Sequence, residues 1–355
     1  MIPFTYSDTL QFREIVQEVK FRAEAHNVRP PVLSFIGTVK LHGCNSSVVQ
    51  DIKTRTMYAQ SRNTVITPVD DHMGFAKFVK QQTDCFNLLF MAARVVFGIS
   101  QLTEADSLVI YGEWCGQGIM KGVAVSQVPK MFVIFGIRVI RGEEKGEWFT
   151  PSQVNDVYVS ILTDDDLELN QVFCAYSFKT YTIDIDFDQP ELARDLMVEM
   201  VKEVEAECPV GKCFGVSGVG EGIVFKCVEW INGEPLFRID DLMFKVKGEK
   251  HAETKTKEKI SVDVEKVNST NALLEMVLTP HRLEKMIYKM VEMGDPVTVE
   301  STGIFLKYIG QDVMKEEGDV IDKSGLDRKS VTGPLNKKAR DWYMNYLDSV
   351  IFNAG

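Results

Sequence analysis

A lysine that ends an apolar strand is the residue of this chain best suited to covalent chemistry. Val32 to Val39 reads as a strand, and Lys40-Leu41-His42-Gly43-Cys44-Asn45 follows it directly. Desolvation at a strand end favours the neutral amine, which is a nucleophile. Glycine three residues on lets the backbone come close to a phosphate. An exposed lysine before a turn would look the same, so the weight falls on further segments in fixed order. Ser61-Arg62-Asn63 follows the next pair of strands. Tyr111-Gly112-Glu113-Trp114 stands at a strand end and runs into Gly116-Gln117-Gly118-Ile119. Phe132-Val133-Ile134-Phe135-Gly136 is another strand. Glu221-Gly222-Ile223-Val224-Phe225-Lys226 opens a strand after a glycine-rich loop. Met243-Phe244-Lys245-Val246-Lys247 sets two lysines two residues apart, on one face of one strand.

The elements that must carry these residues follow from periodicity. A helix is predicted over 9–25, from Leu10, Ile15, Val16, Val19 and Ala23. Strands are predicted over 32–39, 46–52, 56–60, 107–114, 132–140, 222–230, 236–239 and 242–246, with Asn232-Gly233 as a hairpin turn. One long helix is expected over 75–97 and another over 190–205. Residues 250–259 are charged and lack apolar periodicity, so they read as a linker. Helices follow. Thr279-Pro280 caps a stripe of Leu283, Met286, Ile287, Met290 and Val291 that Gly294 ends, and Leu335, Ala339, Trp342, Tyr343, Tyr346, Leu347 and Val350 form a second stripe. Both stripes are read as core-facing. The expected division is a β-rich domain over 1–250, a charged linker over 251–260 and a helical domain over 261–355.

Composition narrows the class. The chain has 355 residues, 45% hydrophobic and 26% charged, the balance of a soluble globular protein. No apolar run reaches the ~18 residues that would span a bilayer; the longest, Asn87 to Ile99, is broken by Arg94. The first residues lack the basic and apolar regions of a signal peptide, and seven scattered cysteines suit a reducing compartment. A cytoplasmic monomer away from membranes is expected, in the host cytoplasm if the chain is phage-encoded. A net charge of −11 argues against a general nucleic-acid coat protein, but residues 245–260 hold six lysines and three glutamates, a local excess of +3. Other signals carry no chemistry. The glycines of 215–222 precede a strand rather than a helix, and Gly211-Lys212-Cys213 lacks the Ser or Thr of a P-loop. Cys208 and Cys213 lack a second ligand pair, and Asp164-Asp165-Asp166 reads as a solvated loop.

The ordered segments resemble the six motifs of the covalent nucleotidyltransferases, the superfamily of polynucleotide ligases and mRNA capping enzymes. More narrowly they resemble the phage-type RNA ligase 2 family. His42 in the third motif position, where DNA ligases and capping enzymes usually carry Asp, favours the RNA ligases, as do helices after the K-x-K strand in place of an OB-fold. Thr279 to Glu317 is similar to that family's C-terminal helical domain. The resemblance implies an α+β fold: a β-rich nucleotidyltransferase (ligase adenylylation) domain followed by an all-helical domain. It implies an ATP-dependent enzyme that joins a 3′-hydroxyl to a 5′-phosphate on RNA, at nicks in a duplex, through lysyl-AMP and RNA-adenylate. Lys40 would attack the α-phosphate of ATP, with Lys245 and Lys247 on the phosphate oxygens. Glu113 would bind the ribose hydroxyls, and Phe135 would stack on adenine. Glu221 would stand near a catalytic Mg²⁺, with Mn²⁺ as the alternative. Arg62 and Asn45 would position phosphates or the RNA end, His42 would contact a phosphate, and Gly43 would admit the nucleotide. Val39, Cys44 and Gly136 depart from the family pattern of Glu, Thr and Asp at those places, and bear on pocket detail. Two other readings are a DNA ligase or capping-type relative, which should carry a β-barrel downstream, and an inactive RNA-binding relative, which should lack one of the reactive residues.

Overall fold

A computed structural model describes the chain except for residues 1, 8, 72, 99–101, 103–106, 142–144, 163–170, 229–241, 249–269, 324–326 and 354–355. The Asn232-Gly233 hairpin, the charged linker and the Asp164–Asp166 run lie outside the described residues. The chain divides into two compact units, one of residues 1–10 and 14–246, the other of 11–13 and 247–355.

The first unit is built on two sheets. One has the order β1 (Leu10–Gln11), β12 (Met243–Lys247), β11 (Gly222–Cys227), β2 (Val32–Val39), β10 (Thr180–Asp186). The other has the order β5 (Val65–Ile66), β4 (Met57–Ser61), β3 (Cys44–Asp51), β6 (Ser107–Cys115), β7 (Met131–Arg141), β8 (Lys145–Trp148), with β9 (Val172–Cys174) parallel to β7. The second sheet buries one face, through Val48, Leu108, Ile110, Phe132 and Ile134, against Phe75, Phe86, Leu89 and Val154 of helices α2 (Phe75–Gln81), α3 (Thr83–Phe97) and α4 (Pro151–Val159). Its other face meets the first sheet, where Val49, Val109, Tyr111 and Ile140 share a cluster with Met243 and Val224. Helix α5 (Glu191–Ala206) packs on β10 and β11, and the short α6 (Pro209–Cys213) follows it.

The expected helix over 75–97 is two helices. Gln82 leaves helical geometry, with φ −99° and ψ 24°. The Thr83 hydroxyl donates to Lys80 O at 2.8 Å, a local back-bond that competes with the helix ladder. The two parts still share a core, where Phe78 meets Phe86 edge-on. Helix α4 starts with a complete capping box: Thr150 accepts from Gln153 N and the Gln153 side chain accepts from Thr150 N.

The second unit is helical. Helices α7 (Thr270–Val277), α8 (Pro280–Glu292), α9 (Thr302–Lys323) and α10 (Arg328–Asn353) bury Leu283, Met286, Ile309, Leu335 and Tyr343 in one core. Thr279 caps α8 as expected, and Gly294 follows its end with φ 77°. Arg282 is fully buried. It donates to Glu317 and to Val277 O and lies 3.0 Å from Asp312. Gln11 and Arg13 belong to this unit: Arg13 donates to Glu317 and to Glu316 O. Residues 11–13, at the start of helix α1 (Phe12–Ala25) and its approach, thus group with the helices.

Candidate active site

Strands β2 and β11 run antiparallel with Val39 opposite Ile223, and Lys40 N continues the ladder by donating to Gly222 O. Lys40 is thereby beside Glu221. Its Nζ donates to Glu221 Oε2 at 2.8 Å, and His42 Nδ1 lies 3.3 Å from the same oxygen. The Glu221 side chain is 2% exposed, that of Lys40 23%. A carboxylate so far from water is stable only when paired, and here the pair includes the residue expected to be the nucleophile.

Gly43 brings this loop against the second sheet. A Cβ there would lie 2.4 Å from Trp114 O and 3.0 Å from Glu113 Cγ, so no larger residue fits without moving backbone. Asn45 then pairs with Glu113 across β3 and β6. Ser46 pairs with Ser61, so Arg62, the next residue, comes level with Asn45. Arg62, Asn45 and Glu113 form a row across three strands. Asn45 and Glu113 alternate with the buried Cys44 and Trp114, so they belong to the face that meets the first sheet.

Phe135 reaches that face through a β-bulge. Tyr111 pairs with Gly136 and Gly112 with Ile134, which leaves Phe135 as the extra residue. The inward positions on β7 accordingly shift from Phe132 and Ile134 to Ile137 and Val139. The Phe135 ring is half-buried, and its carbonyl accepts from the Tyr176 hydroxyl at 3.3 Å. On the first sheet, Lys245 and Lys247 alternate with Phe244 and Val246, on the side of Met243 that joins the inter-sheet cluster.

The structure thus brings Lys40, His42 and Glu221 into contact, sets Asn45 and Glu113 on adjoining strands and puts Gly43 in the turn just before β3. By strand alternation and register, Arg62, Phe135, Lys245 and Lys247 belong to the same facing sides of the two sheets. Lys226, the last residue of the Glu221–Lys226 segment, is buried, with Nζ 5.3 Å from the Trp148 ring centroid. Tyr6 and Tyr176 carry no sequence signal, because Tyr6 stands in an irregular segment and Tyr176 in a single 3-10 turn, Ala175–Ser177. Among the described residues no cluster of three or more His, Cys, Asp or Glu forms a metal cage. A single buried carboxylate, Glu221, fits a hard cation that keeps most of its waters and shares substrate phosphates.

Chemically, the arrangement offers an amine nucleophile, a carboxylate able to hold or release it, cations on one strand face and an aromatic ring at a bulge. Two Naegleria gruberi RNA ligase structures are similar to the chain. A variant with AMP and Mn has 14% identity and a TM-score of 0.44, covering 70% of this chain and 56% of that one. A variant with ATP and Mn has 16% identity and a TM-score of 0.45, covering 73% and 59%. The chain spans little more than half the length of these structures. No match is found among curated proteins. Among the described residues no helix is long and apolar enough to cross a membrane. A family model for RNA ligase matches residues 33–247, three-fifths of the chain and every motif from the strand before Lys40 to Lys247, and on that match the chain belongs to the RNA ligase family.

Proposed function

We propose that the protein is an ATP-dependent RNA ligase that seals 3′-hydroxyl and 5′-phosphate ends, at nicks in duplex RNA, and acts as a monomer. The observation that carries this reading is the contact of Lys40 with the buried Glu221 at the junction of β2 and β11, inside a chain of the RNA ligase family.

Attack requires Lys40 to leave Glu221 and lose a proton. Its Nζ then forms a bond to the α-phosphorus of ATP while the bond from that phosphorus to the bridging oxygen breaks, and pyrophosphate leaves. Lys245 and Lys247 act on the phosphate oxygens, where positive charge counts most as charge builds in the transition state. Glu113 accepts from the ribose hydroxyls, Phe135 stacks on adenine, and Gly43 leaves room for the nucleotide. Glu221, with waters and phosphate oxygens, would hold a divalent cation, Mg²⁺ or Mn²⁺; that cation supplies charge neutralisation on the phosphates. In the second step an oxygen of the RNA 5′-phosphate takes AMP from Lys40, and the free amine is restored. In the third the RNA 3′-hydroxyl attacks that phosphate, a phosphodiester forms and AMP leaves. Asn45, Arg62 and His42 would position the phosphates and the RNA end for these steps.

Incubation with α-labelled ATP and Mg²⁺, followed by denaturing electrophoresis, tests the first step. A labelled protein is expected, stable in alkali and broken by acid, as a phosphoramidate is. Label that persists in Lys40→Ala, or that forms equally from GTP, would overturn the reading.

A further inference from the structure

Residues 2–6 form no helix or strand, yet they are tied to the framework behind the site at every other residue. The Tyr58 hydroxyl donates to Ile2 O at 3.0 Å. Gln60 holds Phe4 by both backbone groups, accepting from its N at 3.0 Å and donating to its O at 2.8 Å. Tyr6 is buried, with ring centroids 5.1 Å from Tyr111, 5.0 Å from Trp148 and 4.8 Å from Phe135, and its hydroxyl donates to Met243 Sδ at 3.2 Å. Gln60, Tyr111 and Met243 stand two residues before Arg62, Glu113 and Lys245, and residues two apart share a strand face. The segment therefore packs one step behind three of the site's residues and touches a fourth, Phe135, directly.

Phe135 has particular need of such support. As the extra residue of a bulge it sits outside the regular ladder between β6 and β7. Two tyrosines hold it in place of that ladder. Tyr176 donates to its carbonyl, and Tyr6 meets its ring at an interplanar angle of 70°. An edge-on neighbour of this kind limits rotation of the ring about its own axis. Burial raises the Tyr6 hydroxyl well above its ordinary range, so it remains a neutral donor to Met243.

We infer that Tyr6 is a positioning residue for the base subsite, setting the plane of Phe135 on which the adenine ring is received. This rests on the reading of Phe135 as the base-stacking residue. The test is calorimetric binding of AMP, and separately of pyrophosphate, to the full chain as wild type, Tyr6→Leu, Tyr6→Phe, Phe135→Leu and the Tyr6→Leu/Phe135→Leu pair, with thermal unfolding of each. Tyr6→Leu is expected to weaken AMP binding about tenfold while folded, and Tyr6→Phe, which keeps the ring, less than about twofold. Pyrophosphate, which has no base, should bind all of them alike. With Phe135→Leu already present, Tyr6→Leu should add no further loss, because Tyr6 acts through that ring. Should Tyr6→Leu fail to fold, Tyr6→Met, of similar reach but without a flat ring, replaces it in the cycle. Unchanged AMP affinity, parallel loss of pyrophosphate, or additive losses in the pair would each overturn the inference. A wild-type chain that binds no AMP overturns it together with the base-site reading. AMP binding without a lysyl adduct from ATP overturns the ligase reading alone.

Discussion

Lys40 and His42 meet Glu221 at one oxygen, so the proposed nucleophile is engaged with a carboxylate. On the proposed reading Lys40 leaves this contact before it attacks, and the lysines of β12 serve the phosphates. Lys245→Ala and Lys247→Ala should each lower the rate of lysyl-AMP formation by about 10²- to 10³-fold, measured by the label assay on protein whose thermal unfolding is normal. Near-normal rates in both would mean that this strand face does not serve the phosphates. Gly43→Ala should remove adduct formation for a steric reason. Its Cβ would stand 2.4 Å from a backbone oxygen, so the Lys40 loop must move away from β6, at about 1–3 kcal/mol by the usual cost of overpacking. A Gly43→Ala chain with wild-type stability and adduct rate would refute the close approach. The residues in contact here were legible in sequence because the motif places them at strand ends, where one registry joins Lys40 to Glu221. Tyr6 was not legible, because its role depends on packing 105 residues or more distant along the chain, against Tyr111, Phe135 and Met243, and its own segment has no period to read.

At the scale of elements, most strands could be read because their apolar residues alternate or run continuously, as in Val32–Val39 and Met131–Arg141. What could not be read is the bulge at Phe135, since a bulge is a property of the pairing between β6 and β7 and leaves no mark on either strand alone. The break between α2 and α3 was hidden in the same way: apolar spacing continues across Gln82, and a single threonine hydroxyl bonds back to the preceding turn. Two elements carried signals that the sequence reading passed over. Strand β10 alternates Tyr181, Ile183 and Ile185 inward with Thr182 and Asp184 outward, a period of two. Helix α4 begins with Thr150-Pro151-Ser152-Gln153, a capping box with proline at the first helical position. Thr150→Ala should therefore cost about 1 kcal/mol of stability through the lost cap and leave the rate of lysyl-AMP formation unchanged, since α4 packs on the face of the sheet away from Glu113 and Asn45. Chemical denaturation and the label assay on the same preparation would separate the two effects; an altered adduct rate would show that this helix does bear on the site.

For the whole molecule, the question is how labour divides between the two units. Every residue assigned to nucleotide chemistry lies between Lys40 and Lys247, which opens the second unit, whereas the helices share one apolar core and a buried ion network of Arg282, Glu317 and Asp312. Replacing one member would leave a charge buried without its partner, and through Arg282 the network ties the end of α7 to α8 and α9. A chain ending at Glu249 keeps all of the proposed nucleotide contacts and loses the helices. It should still form lysyl-AMP, but with lower thermal stability, because Gln11 and Arg13 lose their bonds to Glu316 and Glu317. The same truncated chain should seal 5′-phosphate nicks in duplex RNA poorly, on the reading that the helices after Lys247 grip the RNA. Adduct formation and nick sealing measured side by side, at a temperature where both proteins are folded, decide the matter. Equal sealing by the two would assign RNA binding to the sheets alone, whereas loss of adduct in a folded truncated chain would make the helical unit part of the adenylylation machinery.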